Sequence, residues 1–373
     1  MGWTGVQYSV FRAGLAFAIA HVCWVRLPLV EGPPWPLLAL GLPASFALAL
    51  GWRDRALAGN LLLLVGGLAA FVDGAPLVLP ENDVIFVSSL ILFHLFVPIT
   101  PFGSWDARER IDPRGDWFRP TWIGHAAWVW LAVIHLDRAL GLGMGSSASS
   151  MAPLLPAAIL GIFQLAFAVS TFVVSWRPAA WIAMTLAHLG WITAFGAQTG
   201  DIVLLLVHAF AADPAWWPGR SLRTATSLPQ DPEQPARLFY DGDCGFCHRS
   251  IRFILSEEAG TPEAFRFRFA PLQGETFERE IANRPDTDRD SLPDSIVLIL
   301  ENGELLTKSE AVCEAASRLG GLWRGVGLVG SVLPTGLLDI PYDGIASIRK
   351  KLFANPKDAC PILPPDLRGR FDF

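Results

Sequence analysis

Two of the five cysteines in this chain stand three residues apart, as Cys244-Gly-Phe-Cys247. That spacing serves three chemistries: a redox-active dithiol, half of a thiolate zinc site, and, where a histidine follows as His248 does here, attachment of a c-type haem. The flanking residues favour the first. Leu238-Phe-Tyr240 reads as a short buried strand, Asp241-Gly-Asp243 as a tight turn, and Cys247 onward as an amphipathic helix with Ile251, Phe253, Ile254 and Leu255 inward. This order puts Cys244 at a helix N-terminus, where unpaired backbone N–H groups and the helix dipole favour the thiolate that attacks disulfides. Cys244 is expected to be the nucleophile and Cys247 the resolving thiol.

The neighbours carry two readings each. Asp241 and Asp243 either accept the proton leaving Cys247 or only shape the turn. His248 and Arg249 either favour the thiolate or are exposed helix residues. Cys313 reads as a helix core residue and Cys23 as apolar filler. Cys360, before Pro361, is a candidate third redox partner. Without a second close pair of ligands zinc is disfavoured, and no metal is expected.

The elements that must hold this dithiol fall in the last two-fifths of a 373-residue chain of uneven composition. Hydrophobic residues make up 52% and charged residues only 17%, which is apolar for a water-soluble protein. Residues 1–220 carry 11 Arg, no Lys and 12 acids, and the remainder is more acidic still, so nucleic acid is not an expected partner. No cleavable signal is evident, because the first apolar segment lacks a basic flank and contains Arg12.

Apolar runs at roughly 7–30, 35–51, 56–72, 84–101, 121–140, 153–175, 179–197 and 202–217 are eight candidate transmembrane helices. The third is Gly-rich, and Asp213-Pro214 interrupts the eighth. Arg53, Arg55, Arg108, Arg110, Arg114, Arg119, Arg177, Arg220 and Arg223 cluster in alternate loops, with Arg26 and Arg138 as exceptions. By the positive-inside rule both termini are cytoplasmic. The expected location is the inner membrane of a bacterium, with the lipid bilayer as a partner. A cytoplasmic dithiol disfavours haem, which is attached on the outer side, and favours a catalytic disulfide over a structural one.

Arg12, His21, His94, His188 and His208 fall within these runs, most of the histidines near mid-bilayer, and Asp137 lies near the end of the fifth. Ionisable residues there are costly and face protein or a cavity. They are either neutral imidazoles bonded across helices or the lining of a pocket for a quinone, a haem or a lipid headgroup.

Phe11-Arg12-Ala-Gly14, Gly103-Ser-Trp105, His188-Leu-Gly-Trp191, Gly200-Asp-Ile202, His208 and Trp216-Trp-Pro218 together resemble the horizontally transferred transmembrane domains related to vitamin K-dependent gamma-carboxylase. The carboxylase uses a lysine as its base, and this chain has none before Lys308. The resemblance therefore implies a fold and not that activity.

Ser221–Pro235 is polar and aperiodic, a linker between a membrane domain over 1–220 and an α/β domain over 236–373. Strand signals at Phe265–Leu272, Ser295–Leu300 and Glu304–Thr307 alternate with helix signals at Thr276–Asn283 and Ser309–Leu319, and Asn302-Gly303 marks a hairpin. The order β-α-β-α-β-β-α with a dithiol after the first strand is the thioredoxin arrangement.

Tyr240-Asp-Gly-Asp-Cys-Gly-Phe-Cys247, with Ala270-Pro-Leu-Gln273, Asp294-Ser-Ile296, Lys308-Ser-Glu-Ala311 and Cys360-Pro361, resembles the DCC family of predicted thiol-disulfide oxidoreductases. The resemblance implies a thioredoxin-like fold, dithiol exchange with a protein or peptide substrate, and roles for Asp241, Cys244 and Cys247. It requires no cofactor. Thioredoxins also place a cis-proline opposite the dithiol, for which Pro293 is the nearest candidate. The expected protein is thus a membrane-anchored oxidoreductase, its dithiol coupled to a quinone or lipid in the membrane domain. The rival reading is a scaffold or maturation partner that binds a client through the dithiol without turnover.

Overall fold

The computed structural model describes residues 3–26, 35–72, 82–115, 117–140, 154–197, 199–222, 235–258, 261, 263, 266–284, 289, 292–293, 295–353 and 363–372. The chain divides into two compact units, one of residues 7–108 and 117–213, the other of 1–6, 109–116 and 214–373. The first unit is helical. Its helices are α1 (Gly5–Arg26, whose first two residues fall outside the unit), α2 (Trp35–Leu50), α3 (Asp54–Val72), α4 (Asn82–Phe96), α5 (Thr121–Leu140), α6 (Leu154–Ser170), α7 (Arg177–Phe195) and α8 (Thr199–Ala211).

Each apolar run of the sequence thus holds one helix, but eight membrane spans do not follow. Among the described residues only Gly5–Val25 is long and apolar enough to cross a membrane. The apolar helical stretches Ala39–Leu50, Val84–Phe96, Gly161–Ser170 and Thr199–Ala211 have 10–17 residues, and at ~1.5 Å per residue they fall short of a ~30 Å hydrocarbon core. Helix α5 has the length, yet His125, His135, Asp137 and Arg138 dilute its apolarity. Two expected spans also end early. The fourth stops at Phe96, before Pro98 and Pro101, and the eighth stops at Ala211, before Asp213-Pro214.

The second unit carries the sheet. In chain order it holds β1 (Arg237–Tyr240), α9 (Gly245–Glu257), β2 (Arg268–Pro271), α10 (Glu275–Ala282), β3 (Val297–Ile299), β4 (Leu305–Thr307), α11 (Lys308–Leu319), α12 (Gly321–Val332), α13 (Thr335–Leu352) and α14 (Pro365–Arg368). The strand order is β2-β1-β3-β4, with β1 parallel to β2 and both β1–β3 and β3–β4 antiparallel. Period-two side chains divide between the faces. Leu238, Tyr240, Phe269, Leu298 and Leu306 pack with Ile251, Ile254 and Leu255 of α9 and Ala311, Ala315 and Leu319 of α11. Phe239, Ala270, Val297 and Ile299 face Phe277 and Ile281 of α10.

The β3–β4 hairpin closes where expected. Gly303 has φ +84°, a conformation open to glycine at little cost, and Glu304 N–H donates to Asn302 Oδ1 (3.0 Å). The chain end covers the β2 edge, as Phe269 N–H donates to Arg370 O and Asp372 N–H to Phe269 O. Beneath α11, Arg318 is fully buried between Glu301 (2.7 Å) and Glu314 (2.7 Å). The segment expected to open a free linker is instead tied at its start: Ser221 Oγ–H and Leu222 N–H donate to the Glu314 carboxylate. The rest of that segment, 223–234, lies outside the described residues.

Candidate functional site

Cys244 is the N-cap of α9, in extended conformation (φ −108°, ψ 111°), and its carbonyl accepts the first helical bond from His248 N–H (3.1 Å). The turn before it is built on Asp241. The Asp241 carbonyl accepts from Cys244 N–H (3.2 Å), and its Oδ1 accepts from Asp243 N–H (3.0 Å) and Gln273 Nε2 (2.8 Å). Gln273 Oε1 in turn accepts from Gly242 N–H (3.0 Å). Gln273 lies two residues past β2, the strand next to β1, so strand pairing brings it to the turn. His248 is buried, donates from Nε2 to Gly242 O (3.0 Å), and packs edge-on to Tyr240. It is therefore not the exposed helix residue of one sequence reading. Arg249 is exposed and lies over the Phe353 ring.

Asp241 is buried and faces cations from α13. Lys350 Nζ stands 2.9 Å and Arg349 Nη2 3.9 Å from Asp241 Oδ2. Burial alone would raise its carboxyl, but the Lys350 ammonium and the bonds from Gln273 and Asp243 outweigh it and hold Asp241 below the usual carboxylate range. A carboxylate so held is a weak base. The geometry favours its turn-shaping role over proton acceptance. Asp243 donates its backbone N–H to the clamp and keeps its side chain exposed.

The two thiols differ. Cys244 is fully buried, and Cys247 is only partly so. Both are free thiols. Burial pushes the Cys247 thiol up to about 12, helped by its bond to Cys244, the charge of Cys244 and that of Asp241, while the Arg349 guanidinium pulls the other way. Cys247 is thus held protonated, with its S–H directed to Cys244. Phe246, between the cysteines, packs on Phe353 just beyond α13 (ring centroids 5.2 Å). The end of α13 therefore lies over the first turn of α9.

Sequence reasoning missed the contribution of α13 to this site. Besides Arg349 and Lys350, it supplies Tyr342, whose hydroxyl accepts from Ile296 N–H (3.0 Å) beside β3. The only signal was the Arg349-Lys-Lys351 run, a helix C-terminal pattern whose target lies over a hundred residues earlier. Two expected participants are corrected or lie elsewhere. No peptide bond among the described residues is cis, so Pro293 is trans; Ser295 N–H bonds back to its carbonyl (2.7 Å) in a local turn. Cys360 lies outside the described residues. Cys313 is half-buried on α11 against α12, close to Gly330.

The ionisable residues of the helical unit do not gather in one place. Arg12 is fully buried and pairs with Asp54 (3.3 Å), whose other oxygen meets His94 Nε2 (2.8 Å), and Tyr8 hydroxyl meets His94 Nδ1. His188 and His208 form a second group with His135: His135 and His208 share a bond between Nε2 atoms (3.0 Å), and Arg138 Nη1 donates to His188 Nε2 (3.2 Å). His21 stands apart with Thr199 (3.3 Å). Asp54 was hidden between Arg53 and Arg55, where it reads as a loop charge. Among the described residues no group of three or more His, Cys, Asp or Glu side chains has the geometry to hold a metal ion.

No curated protein and no solved structure is similar to the chain. Residues 238–355, from β1 through α13, match the family described as DCC1-like thiol-disulfide oxidoreductase, and a thiol-disulfide oxidoreductase role for this domain accords with its strand–dithiol–helix geometry.

Proposed function

We propose that the chain is a membrane-anchored thiol-disulfide oxidoreductase with Cys244 as nucleophile and Cys247 as resolving thiol. The observation that carries the assignment is the asymmetry of the pair. Cys247 is held protonated with its S–H on Cys244, while Cys244 caps α9. The Cys244 thiolate attacks a substrate disulfide R–S–S–R′, forming Cys244–S–S–R and releasing R′–S⁻. The Cys247 proton passes to the departing thiolate, and Cys247 then attacks Cys244 Sγ. A Cys244–Cys247 disulfide and R–S⁻ result, the latter taking its proton from solvent, with two electrons moved to the substrate. A thiol or dithiol reductant closes the cycle.

The order of steps has a physical basis. Two of the effects that keep Cys247 protonated are its bond to Cys244 and the Cys244 charge. Both vanish when Cys244 enters a mixed disulfide, whereas the pull of Arg349 persists. The resolving thiol becomes more acidic when its turn comes. Because Cys244 is fully buried, the packing around it must open for substrate to arrive.

Two features support the membrane part of the proposal. One is Gly5–Val25, apolar over a spanning length. The other is the side-chain distribution of the helical unit, where Arg12, His94, His135 and His208 are buried while Phe17, Leu63, Ile162 and Phe172 stand exposed. Water-soluble proteins arrange these types the other way, and a lipid-facing bundle of the gamma-carboxylase-like kind would arrange them so. In the same reading the dithiol is cytoplasmic, where thiols are kept reduced. The test is turnover of an insulin disulfide by the purified full chain with a dithiol reductant. Activity lost in both Cys244→Ser and Cys247→Ser, with a mixed disulfide accumulating only in Cys247→Ser, supports the proposal. Stoichiometric capture of a client without turnover in the wild type would instead establish the scaffold reading.

A further inference from the structure

Helices α12 and α13 are apolar on two sides. Their inner sides are accounted for by α11. A Cβ on Gly327 would come within 2.5 Å of Cys313 O and 2.7 Å of Ser317 N, so α12 and α11 touch backbone to backbone. Ser309 Oγ–H donates to Asp339 (2.5 Å), and Lys308 pairs with Asp343 (2.9 Å), fastening α13 to the start of α11.

The outer sides are bare. On α12, Leu322, Val326 and Val329 recur at i, i+4 and i+7, all exposed. On α13, Leu337, Ile340, Ile345, Ile348 and Leu352 fall on one helical stripe, also all exposed. The turn between the helices is barer still. Residues 331–337 are exposed without a break, and Val332 reaches 84%. From Gly325 to Leu338 there is no charged residue. A continuous apolar surface of this kind does not stay in water.

Charge and composition select what covers it. Both acids of α13, Asp339 and Asp343, are engaged at α11, and Arg324 turns inward to Ser317 and the Arg220 carbonyl, whereas Lys351 is exposed at the end of the α13 stripe. The exposed side chains are Val, Leu and Ile, without the Trp and Tyr anchors that dominate protein–protein hot spots. A long uncharged apolar stripe with a cation at its end is the pattern of a helix lying in a membrane interface. We propose that α12, the turn and α13 dock on an anionic bilayer surface, with residues 325–338 in the interface and Lys351 among the lipid headgroups. The proposal rests on the membrane-anchored reading above, which places the bilayer within reach.

The test incorporates photoreactive p-benzoylphenylalanine at Val332 in the full chain, reconstituted in vesicles of mixed anionic and neutral phospholipid. The same probe at Phe17 reports the spanning helix. Docking predicts lipid adducts by mass at both positions, and Lys351→Gln lowers the Val332 lipid adduct about fivefold. Lipid adduct at Phe17 but none at Val332 overturns the docking proposal alone, whether Val332 yields no adduct, a second copy of the chain or another protein. No lipid adduct at Phe17 overturns the membrane reading itself.

Discussion

Access and protonation point to different nucleophiles in this dithiol, and one measurement separates them. Cys247 is the more open thiol and Cys244 the fully buried one, so access alone would select Cys247. Protonation selects Cys244. A thiol pushed up to about 12 is thiolate in only about 3 × 10⁻⁵ of molecules at pH 7.5, against roughly one in ten for an ordinary cysteine. Alkylation of Cys247 by iodoacetamide in the reduced protein should therefore run about a thousandfold below that of an unhindered cysteine. Its rate should keep rising with pH to about 10 without a plateau. Cys244→Ser removes the bonded sulfur and its charge but leaves burial and Arg349, so Cys247 should then react at least about tenfold faster. Site-resolved alkylation followed by mass spectrometry reads each cysteine separately. A wild-type Cys247 profile that levels off below pH ~9, unchanged by Cys244→Ser, would refute the assignment and make Cys247 the attacking thiol.

Five further outcomes follow from the packing. Gln273→Ala removes two of the bonds that hold the Asp241–Gly242 turn; it should cost about 1–2 kcal/mol in thermal unfolding and slow disulfide exchange. Asp241 has a lowered folded-state pKa, so its stabilisation is present above the unfolded value of ~3.9 and is lost as pH falls through the folded value. Asp241→Asn should flatten the acid limb of a stability–pH curve below pH ~4. Lys350 is half exposed, so Lys350→Gln alone should cost no more than about 1 kcal/mol. Gly327→Ala drives a methyl into the Cys313 and Ser317 backbone and should destabilise by about 1–3 kcal/mol, whereas Gly325→Ala, with nothing near its Cβ, should be neutral or slightly stabilising. Arg318→Met strands Glu301 and Glu314 as buried, unpaired carboxylates and should cost about 3–5 kcal/mol by chemical denaturation.

The strand–turn–helix around the dithiol was legible because each part had a local signal. Continuous apolar runs mark β1 and β3, Asn302-Gly303 marks the hairpin, and the period of Ile251, Ile254 and Leu255 marks α9. Strand and helix ends moved by only a few residues, as fraying and capping require. Helices α12 and α13 were not legible. Gly321–Val332 is Gly-rich and apolar all round, so no face stands out, and Pro341 inside α13 reads as a break. The site suffered accordingly. Asp241 could be named from its place beside the dithiol, but Gln273, Arg349, Lys350 and Tyr342 reach the site only through strand pairing and helix docking. Burial was equally hidden, since a C-x-x-C motif does not say which thiol is covered. In the helical unit, several apolar runs were counted through their breaks, which made those segments look longer than the helices they contain.

The position of α13 joins the two proposals physically. One helix carries the Arg349 and Lys350 cations that face Asp241, precedes the Phe353 ring that covers Phe246, and bears the bare stripe of Ile345, Ile348 and Leu352. Its fastening to the rest of the unit includes two polar contacts, Ser309–Asp339 and Lys308–Asp343, the second of which is largely exposed and worth little on its own. The helix is also held by Tyr342 at Ile296 N–H and by Lys350 at Asp241, so a force on the outer stripe, whether from lipid or from a client, acts on a helix whose other side faces the Asp241 turn. The sheet and α9 would position the thiols without α13. What α13 adds is two cations against Asp241, one of which also lowers the Cys247 thiol.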